Sequence, residues 1–373
     1  MEEATVESRS GCVKRQCLGM LLVMAMASYA LGMGFKVIDD PNPTHVEKEF
    51  VKLVKVKEIP PDINDRHFMA KPMSLAVAND GSFFVYDYLV RKIFKFTKQG
   101  DLVKVFGSVG RGPGEFGKKP DQNWLYAGRH NNLFLSSHIN RKVIEYDLNG
   151  TYVDEFILPS PEYARGGFVP VVSAKKEFYI LHNSEHRIDA FKPRGNRLAK
   201  IQSLLEGVNR DWSVLLNVRD QDMYSWRSGS MIDVLYDFGN KDRLLVYLTK
   251  TSTVYVFQDN QLLKTYNVWP QQALENYRAR IAERANRLKG RERFVVRMFF
   301  KCFIDKDDPS HYYLTGSKTS GKKEYRTYRL SIDGQLDKVL ISDSPVLFHA
   351  KKNGIFYGIY KGSIFLYKEE DTK

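Results

Sequence analysis

Residues 80–120 read "DGSFFVYDYLVRKIFKFTKQGDLVKVFGSVGRGPGEFGKKP" and alternate between apolar runs and turn residues. Short apolar and aromatic runs are separated by turn signals such as Asp80-Gly81 and Gln99-Gly100. Such runs between turns predict antiparallel strands joined by hairpins. The stretch includes a glycine-rich segment, "FGSVGRGPGEF" (106–116), that either cradles a phosphate or connects two structural units.

The glycine-rich segment meets neither common phosphate-binding pattern completely. The dinucleotide fingerprint G-x-G-x-x-G fits Gly110 and Gly112, but Glu115 stands at its last position. "GPGEFGKK" (112–119) follows the Walker pattern until Lys119 replaces the Ser or Thr whose hydroxyl binds Mg²⁺. Because Pro120 and polar residues follow instead of a helix, we interpret the segment as a connector.

The same order of strands and turns recurs along the chain. Apolar strands that open such a unit start at residues 75, 125, 171, 234, 301 and 346. Repeats of about 40–50 residues with four strands each are typical of β-propellers. We therefore predict an all-β, six-bladed β-propeller with four-stranded blades, and we number the units blades 1 to 6.

The sixth unit ends before a fourth strand can form. The segment "EFVKLVKVKEI" (49–59) precedes blade 1 and has the alternation of a strand. We expect it to supply the missing strand and to close the ring, because closure removes exposed sheet edges.

Blade 1 resembles an NHL-type repeat. Such repeats run from D-G-x-hydrophobic-hydrophobic-V-x-D through a basic pair, a Phe and a turn Gly to F-G-x-x-G-x-G-P-G-E-F and a Pro. The matching residues are Asp80, Gly81, Val85, Asp87, Arg91, Ile93, Phe96, Gly100, Phe106, Gly107, Gly110, Gly112, Pro113, Gly114, Glu115, Phe116 and Pro120. The match covers one full blade, is fair in the second and is degenerate in the others.

The chain is thus similar to exported bacterial six-bladed propellers of the NHL-like superfamily. The resemblance implies a binding or scaffold protein, and metal-dependent lyases, lactonases and esterases occur among the relatives. A fold shared by so many activities does not choose between them.

The N-terminus has the pattern of an export signal. Lys14 and Arg15 precede an uncharged stretch, residues 17–34, and candidate cleavage sites follow Ala27 and Ala30. An exported protein would be periplasmic or extracellular. If residues 17–34 are not cleaved, they would instead anchor the protein in a membrane.

These boundaries give the predicted organisation. The signal peptide covers 1–30, a linker covers 31–48, and the propeller covers 49–373. Of the three cysteines only Cys302 lies beyond the signal peptide, so no internal disulfide is predicted, and we expect Cys302 to be a buried small apolar residue.

Two insertions interrupt the repeats, at about 203–233 and 270–297. The second is predicted to form an amphipathic helix over 271–289, between blades 4 and 5. Residues 270–301 carry nine Lys or Arg against three Glu, a large share of the net charge of +13. We expect this basic helix either to pack across the propeller or to contact an anionic membrane surface or partner.

Propeller ligands usually lie at the mouth of the central channel, on the loops that enter the innermost strands. The candidates at such positions are His67, Lys71, Gln122, Asn123, Arg165, Arg227, Arg293 and Arg297. The arginines predict a cationic mouth suited to carboxylate or phosphate groups, with a solvated surface of scattered ion pairs as the alternative.

The sequence contains no repeated ring of acids and no histidine cluster. We therefore predict no metal and no other cofactor. A Ca²⁺ or Zn²⁺ ion in the channel is kept as an alternative. The predicted function is that of an exported, non-enzymatic binding or scaffold propeller for a protein, glycan or anionic ligand at the channel mouth. The alternative is a metal-dependent lyase or lactonase-type hydrolase.

Nucleic acid is not an expected partner. The N-terminal signal argues against a cytoplasmic location, and the aromatic residues follow strand alternation. Nucleic-acid-binding surfaces instead interleave basic residues with aromatic ones on which bases stack.

Overall fold

The computed structural model describes residues 49–64, 66–117, 123–137, 140–160, 163, 171–182, 187–205, 234–238, 242–248, 253–268, 279, 301–318 and 324–370. The predicted signal peptide and linker lie outside these residues, as does the predicted helix 271–289 apart from Ala279, so these features stay predictions. Within the described part, no helical segment has the length and apolar character needed to cross a bilayer.

The chain begins with a long strand, β1 (Glu49–Ile59), and a small hairpin of β2 (Asp62–Asn64) and β3 (His67–Phe68). Blade 1 contains β4 (Pro72–Val77), β5 (Phe83–Asp87), β6 (Lys92–Phe96) and β7 (Leu102–Phe106). Blade 2 contains β8 (Trp124–Ala127), β9 (Asn132–Ser137), β10 (Lys142–Asp147) and β11 (Tyr152–Ile157). Blade 3 contains β12 (Val171–Val172), β13 (Phe178–His182), β14 (Arg187–Arg194) and β15 (Arg197–Leu204).

The second half of the chain continues this order. Blade 4 contains β16 (Val234–Phe238), β17 (Leu244–Leu248), β18 (Thr253–Gln258) and β19 (Gln261–Asn267). Blade 5 contains β20 (Lys301–Ile304), β21 (His311–Lys318), β22 (Tyr325–Ser331) and β23 (Leu336–Ser342). Blade 6 contains β24 (Leu347–Lys352), β25 (Ile355–Tyr360) and β26 (Ser363–Glu369). The predicted starts of the repeats coincide with β4, β8, β12, β16, β20 and β24.

Consecutive strands pair antiparallel within each blade, and the pairing gives two four-stranded and two eight-stranded sheets. One eight-stranded sheet joins blades 2 and 3, because β11 pairs in parallel with β15 at Ile157 and Arg197. In the other, β1 pairs antiparallel with β26 from Leu53 to Ile59 and parallel with β23 from Glu49 to Lys52. The prediction that residues 49–59 complete blade 6 is confirmed by this pairing.

The first strands of the blades lie side by side. Contacts join β4 to β8, β12 to β16, β16 to β20, β20 to β24 and β24 back to β4. Because the last contact returns from blade 6 to blade 1, these strands line a central channel.

The hydrophobic core is divided into clusters, and each cluster lies between two neighbouring blades. Between blades 6 and 1, Phe83 stacks on Phe96 with ring centroids 4.9 Å apart and meets Tyr357 at 5.1 Å. Since both faces of a blade are covered, β5 is apolar without alternation, and Phe83, Phe84, Val85 and Tyr86 are all fully buried. Each such side chain contributes about 1.5–3 kcal/mol of burial free energy, which holds adjacent blades together.

The glycine-rich segment folds onto itself where it is described, up to Gly117. The Gly112 N–H donates to Glu115 Oε2 at 2.6 Å, and the Phe116 ring is buried in T-shaped contact with Tyr86 at 5.8 Å. At Gly107, with φ of +90°, an added Cβ would lie 2.1 Å from the Phe116 ring, so only glycine fits. A carboxylate of the chain itself takes the amide that a phosphate would need, which supports the connector interpretation.

Candidate functional site

Three of the predicted channel-mouth residues lie in the described part. His67 Nδ1 lies 3.0 Å from Asn64 Oδ1, and the Lys71 ammonium lies 4.9 Å from the centroid of the Tyr88 ring. Asn123 is fully buried and donates through Nδ2 to the Tyr86 hydroxyl at 3.1 Å. The His67 contact lies within the β2–β3 hairpin, whereas Lys71 and Asn123 each contact a tyrosine of blade 1 or of the turn that follows β5.

The other predicted residues, Gln122, Arg165, Arg227, Arg293 and Arg297, lie outside the described residues. The described candidates do not line the channel cavity. The ligand-binding role predicted for the whole set therefore stays a prediction.

A cavity of about 50 Å³ lies in the channel, between the first strands of blades 1, 2, 5 and 6. Its lining is mostly apolar and is formed by Leu75, Ala76, Val77, Leu125, Tyr126, Ala127, Lys301, Cys302, Phe303, Lys306, His349 and Ala350. Cys302 is buried, as predicted. A cavity of this size holds a few water molecules or one small polar group.

Two lysines of blade 5 reach across the channel. Lys301 begins β20, and its Nζ lies 5.9 Å from the ring centroid of Trp124 in blade 2. Lys306 follows β20, and its Nζ donates to the carbonyl oxygen of Val77 in blade 1. The two ammonium groups thus approach the opposite wall of the channel from the same blade.

His349 of β24 contributes the third polar side chain of the cavity. It is 7% exposed, and no described residue forms a hydrogen bond with its Nδ1. Burial lowers the pKa of His349 well below its usual value of 6.5, and the positive charge of Lys301 lowers this pKa further. The imidazole is therefore neutral at physiological pH and can donate or accept one hydrogen bond at the cavity.

The charge of the cavity favours an anion. Among the described residues that line it are Lys301 and Lys306, and none of them is Asp or Glu. Both lysines are half-buried, and half-buried positive charges attract an anion more strongly than fully exposed ones, because less water screens them. Lysine supplies several rotatable N–H donors, which suit carboxylate or phosphate oxygens.

The sequence-based prediction did not include Lys301, Lys306 or His349, because it placed ligand-binding residues in the loops at the channel mouth. Lys301 begins the first strand "KCFI", and His349 lies between apolar residues in the first strand "LFHAKK". In a propeller, the first strand of each blade borders the channel. A polar residue in such a strand is the signal that points to the cavity.

A metal centre would need a cluster of His, Cys, Asp or Glu side chains. Among the described part of the chain, no three His, Cys, Asp or Glu side chains lie close enough together to hold a metal ion. The described residues thus do not fit the divalent ion that the lyase and lactonase resemblance implies.

A second buried charged group, the Asp305 cluster, adjoins the cavity in sequence and in space. It consists of Asp305, Tyr313, Arg329 and Lys351. Asp305 is fully buried, Lys351 Nζ lies 3.0 Å from its Oδ2, and the Tyr313 hydroxyl donates to the same oxygen at 3.0 Å. Arg329 Nη2 lies 3.6 Å from Asp305 Oδ2 and 2.7 Å from Asp308 Oδ2. Every charge of this cluster meets an opposite charge.

The all-β ring of blades defines the class of the protein. The family described as DUF5128, a 6-bladed β-propeller, matches residues 34–294. This chain belongs to that family of six-bladed β-propellers. None of the curated proteins matches the sequence at a significant level.

Solved structures with the same fold come from several bacteria. A DUF4221 family member from Bacteroides vulgatus is 11% identical with a TM-score of 0.52, and the match covers 86% of this chain and 98% of that one. A "Putative exported protein" from Bacteroides fragilis is 10% identical with a TM-score of 0.50, covering 87% and 100%. Virginiamycin B lyase from Staphylococcus aureus is 10% identical with a TM-score of 0.46, covering 80% of each chain. At these identities the likeness concerns the fold alone.

Proposed function

We propose that the protein is an exported binding propeller that holds the anionic group of a ligand, such as a carboxylate, in its central channel. One observation carries the proposal: Lys301, Lys306 and the buried, neutral His349 line the same cavity, and the described residues that line it include no Asp or Glu. The cavity, at about 50 Å³, suits one end of a ligand whose remainder would lie at the channel mouth.

The predicted mouth residues extend this proposal. Arg165, Arg227, Arg293 and Arg297 would form a cationic rim that attracts an anionic small molecule, an acidic glycan or an acidic protein surface. Lys71, His67, Gln122 and Asn123 would lie near the same entry. The net charge of +13 is consistent with an anionic ligand.

The finer organisation belongs to the same proposal. We propose four-stranded blades throughout, and the two sheets β4–β7 and β16–β19 have this number of strands. Export would depend on a signal peptide over 1–30 or an anchor over 17–34, and the similar Bacteroides fragilis structure is that of a "Putative exported protein". The basic helix predicted over 271–289 would contact an anionic membrane surface or a partner.

A metal-dependent lyase or lactonase is the alternative. It would need a ring of oxygen or nitrogen ligands in the channel, and the described residues contain no such group of three. Metal analysis of the purified mature protein tests this alternative. Stoichiometric Ca²⁺ or Zn²⁺ would support it and would contradict the anion-binding proposal.

Calorimetric titration of the mature protein with acetate and with succinate at pH 7.5 tests the channel site. We expect both probes to bind the wild type, and we expect Lys301→Met and His349→Leu each to weaken binding at least tenfold. Both substitutions remove a group that would contact the anion and keep a side chain of similar volume.

The matched control is Lys104→Met. Lys104 is an exposed lysine on β7 whose Nζ donates to the Asn149 carbonyl oxygen at 2.7 Å. Its replacement changes the net charge as much as Lys301→Met does but leaves the channel intact. Absence of binding in the wild type, or equal weakening by the two lysine variants, would overturn the proposal.

A further inference from the structure

His349 shares the channel cavity with the two lysines that would hold the proposed anion. The cavity has a volume of about 50 Å³, and Lys301 and Lys306 belong to its lining as His349 does. A carboxylate or a group of similar size fills such a volume, so no layer of water would separate it from the imidazole. The charge of the ligand therefore acts on the protonation of His349 as well as on the ammonium groups.

The free protein favours the neutral form of His349. Burial lowers the pKa of the imidazole well below 6.5, and the positive charge of Lys301 lowers this pKa further. The other titratable side chains among the described lining residues are Lys306, Cys302 and Tyr126, and the lining residues from β4 are apolar. The described lining thus provides no carboxylate that would stabilise an imidazolium.

Nearby groups on the strands next to β24 are directed to other partners. Asp305, which follows β20, has its Oδ2 at 3.0 Å from Lys351 Nζ, and the same oxygen accepts a hydrogen bond from the Tyr313 hydroxyl of β21. On β25, the Tyr357 hydroxyl contacts a backbone carbonyl oxygen of blade 1, and burial raises the pKa of this tyrosine to about 12. These groups do not supply a negative charge to His349.

An anion in the cavity reverses this balance. Its negative charge stabilises the imidazolium form of His349 and offsets the repulsion from Lys301, so both effects raise the pKa of the imidazole. At a pH between the free and the ligand-bound pKa values, the complex binds more protons than the separate molecules do. The affinity then increases as the pH falls, by about tenfold per pH unit at most for one proton.

We infer that anion binding in the channel is coupled to the uptake of a proton by His349, so that the protein binds its ligand more tightly at acidic pH and releases it as the pH rises. This inference rests on the proposed function and adds a form of regulation to it. The two lysines would supply the attraction for the anion, and His349 would make the strength of binding depend on pH.

Calorimetric titration of the mature protein with acetate at pH 7.5, 6.5 and 5.5 tests the inference. At each pH the titration is repeated in two buffers of different ionisation enthalpy, because the difference in heat measures the protons that are taken up. We expect the affinity for ionised acetate to increase about threefold or more from pH 7.5 to pH 5.5, with uptake of protons at pH 5.5.

The variant that isolates the titration is His349→Gln. It replaces the imidazole by an amide that also donates a hydrogen bond but does not titrate in this pH range. We expect its affinity at pH 7.5 to stay within about threefold of the wild type and to be the same at pH 5.5. The matched control is His130→Gln, because His130 lies outside the described lining of the cavity and has its Nε2 at 2.7 Å from the Ala174 carbonyl oxygen. This control should keep the wild-type pH dependence.

The outcomes separate this inference from the proposed function. Equal affinity for acetate at the three pH values without proton uptake would show that the inference is wrong, and the anion site would stand. A pH dependence that persists in His349→Gln would also overturn the inference, because another group would then take up the proton. If acetate binds at none of the three pH values, the proposed function fails and the inference fails with it.

Discussion

The Asp305 cluster and the channel cavity lie next to each other in blades 5 and 6, but the cluster contains a fully buried carboxylate and the cavity contains two half-buried lysines. Asp305 and Lys306 are consecutive residues at the end of β20. Asp305 forms ion pairs with Lys351 and Arg329, which balance its negative charge. Lys306 instead crosses to a backbone carbonyl of blade 1 at a cavity that contains a second lysine and a neutral histidine.

The two regions are expected to have different roles: the Asp305 cluster in the stability of the fold and the channel cavity in ligand binding. A buried charge whose partners are all present is costly to disturb, because removal of one member leaves the others buried without compensation. The channel cavity, lined by Lys301, Lys306 and His349, is instead the place where we propose that an anionic ligand binds. Variants of the Asp305 cluster should therefore affect unfolding, and variants of the cavity should affect ligand binding.

The largest effect is expected for Asp305→Ala. It leaves Lys351 and the Tyr313 hydroxyl without their shared acceptor, and we expect a loss of about 3–5 kcal/mol in the free energy of unfolding. Urea denaturation followed by fluorescence measures it. The control is Asp333→Ala, which breaks an ion pair with Lys264 in which Asp333 is 72% exposed, and it should cost about 0–1 kcal/mol. Similar losses for the two variants would contradict the argument that the buried ion pairs of Asp305 are more costly to break than an exposed ion pair.

The next effect is a pH dependence that His349 introduces. Because its folded-state pKa is lowered, the unfolded chain binds more protons below pH 6.5, so stability is present above this pH and falls as the pH decreases. The slope reaches about 1.4 kcal/mol per pH unit between 6.5 and the lower folded-state pKa. We expect His349→Leu to flatten this part of a stability–pH curve measured by urea denaturation.

The carboxylates of the neighbouring turn act in a different pH window. Hydrogen bonds from Gly354 and Asn353 to Asp307, and from Ser310 to Asp308, outweigh burial and keep both pKa values below their usual 3.8. Their contribution to stability is present above pH 3.8 and is lost at lower pH. If the free energy of unfolding of His349→Leu keeps the wild-type slope between pH 6.5 and 5, groups other than His349 cause that slope.

A smaller effect is expected for Tyr313→Phe. This variant removes one hydroxyl that donates to Asp305 Oδ2 at 3.0 Å and should cost about 1–3 kcal/mol, since hydrogen bonds to charged groups exceed neutral ones. Tyr357→Phe is the matched control, because its buried hydroxyl makes only a 3.5 Å contact with the Gly81 carbonyl oxygen. Equal costs for the two variants, measured by urea denaturation, would remove the argument that the cluster charge strengthens the bond.

The sequence was sufficient for features that depend on local pattern. The starts of the repeats, the role of residues 49–59 and the connector at 106–116 follow from alternation and turn residues that lie close together in the chain. The two charged regions could not be found this way. Lys301 and His349 belong to different strands, and Asp305 follows one strand while Arg329 lies in another. Only the pairing of strands and the closure of the ring bring these side chains together.

The smallest effect on stability is expected for His349→Leu at pH 8, and it separates the two regions most clearly. At this pH the imidazole is neutral, and its buried Nδ1 has no partner among the described residues. Replacing such a group by an apolar side chain of similar size removes a desolvation cost, so we expect a change within about 1 kcal/mol, or a gain. The same variant should lose acetate and succinate binding. A large loss of stability would instead mean that His349 holds the blades together, as Asp305 does, and that the cavity is part of the scaffold.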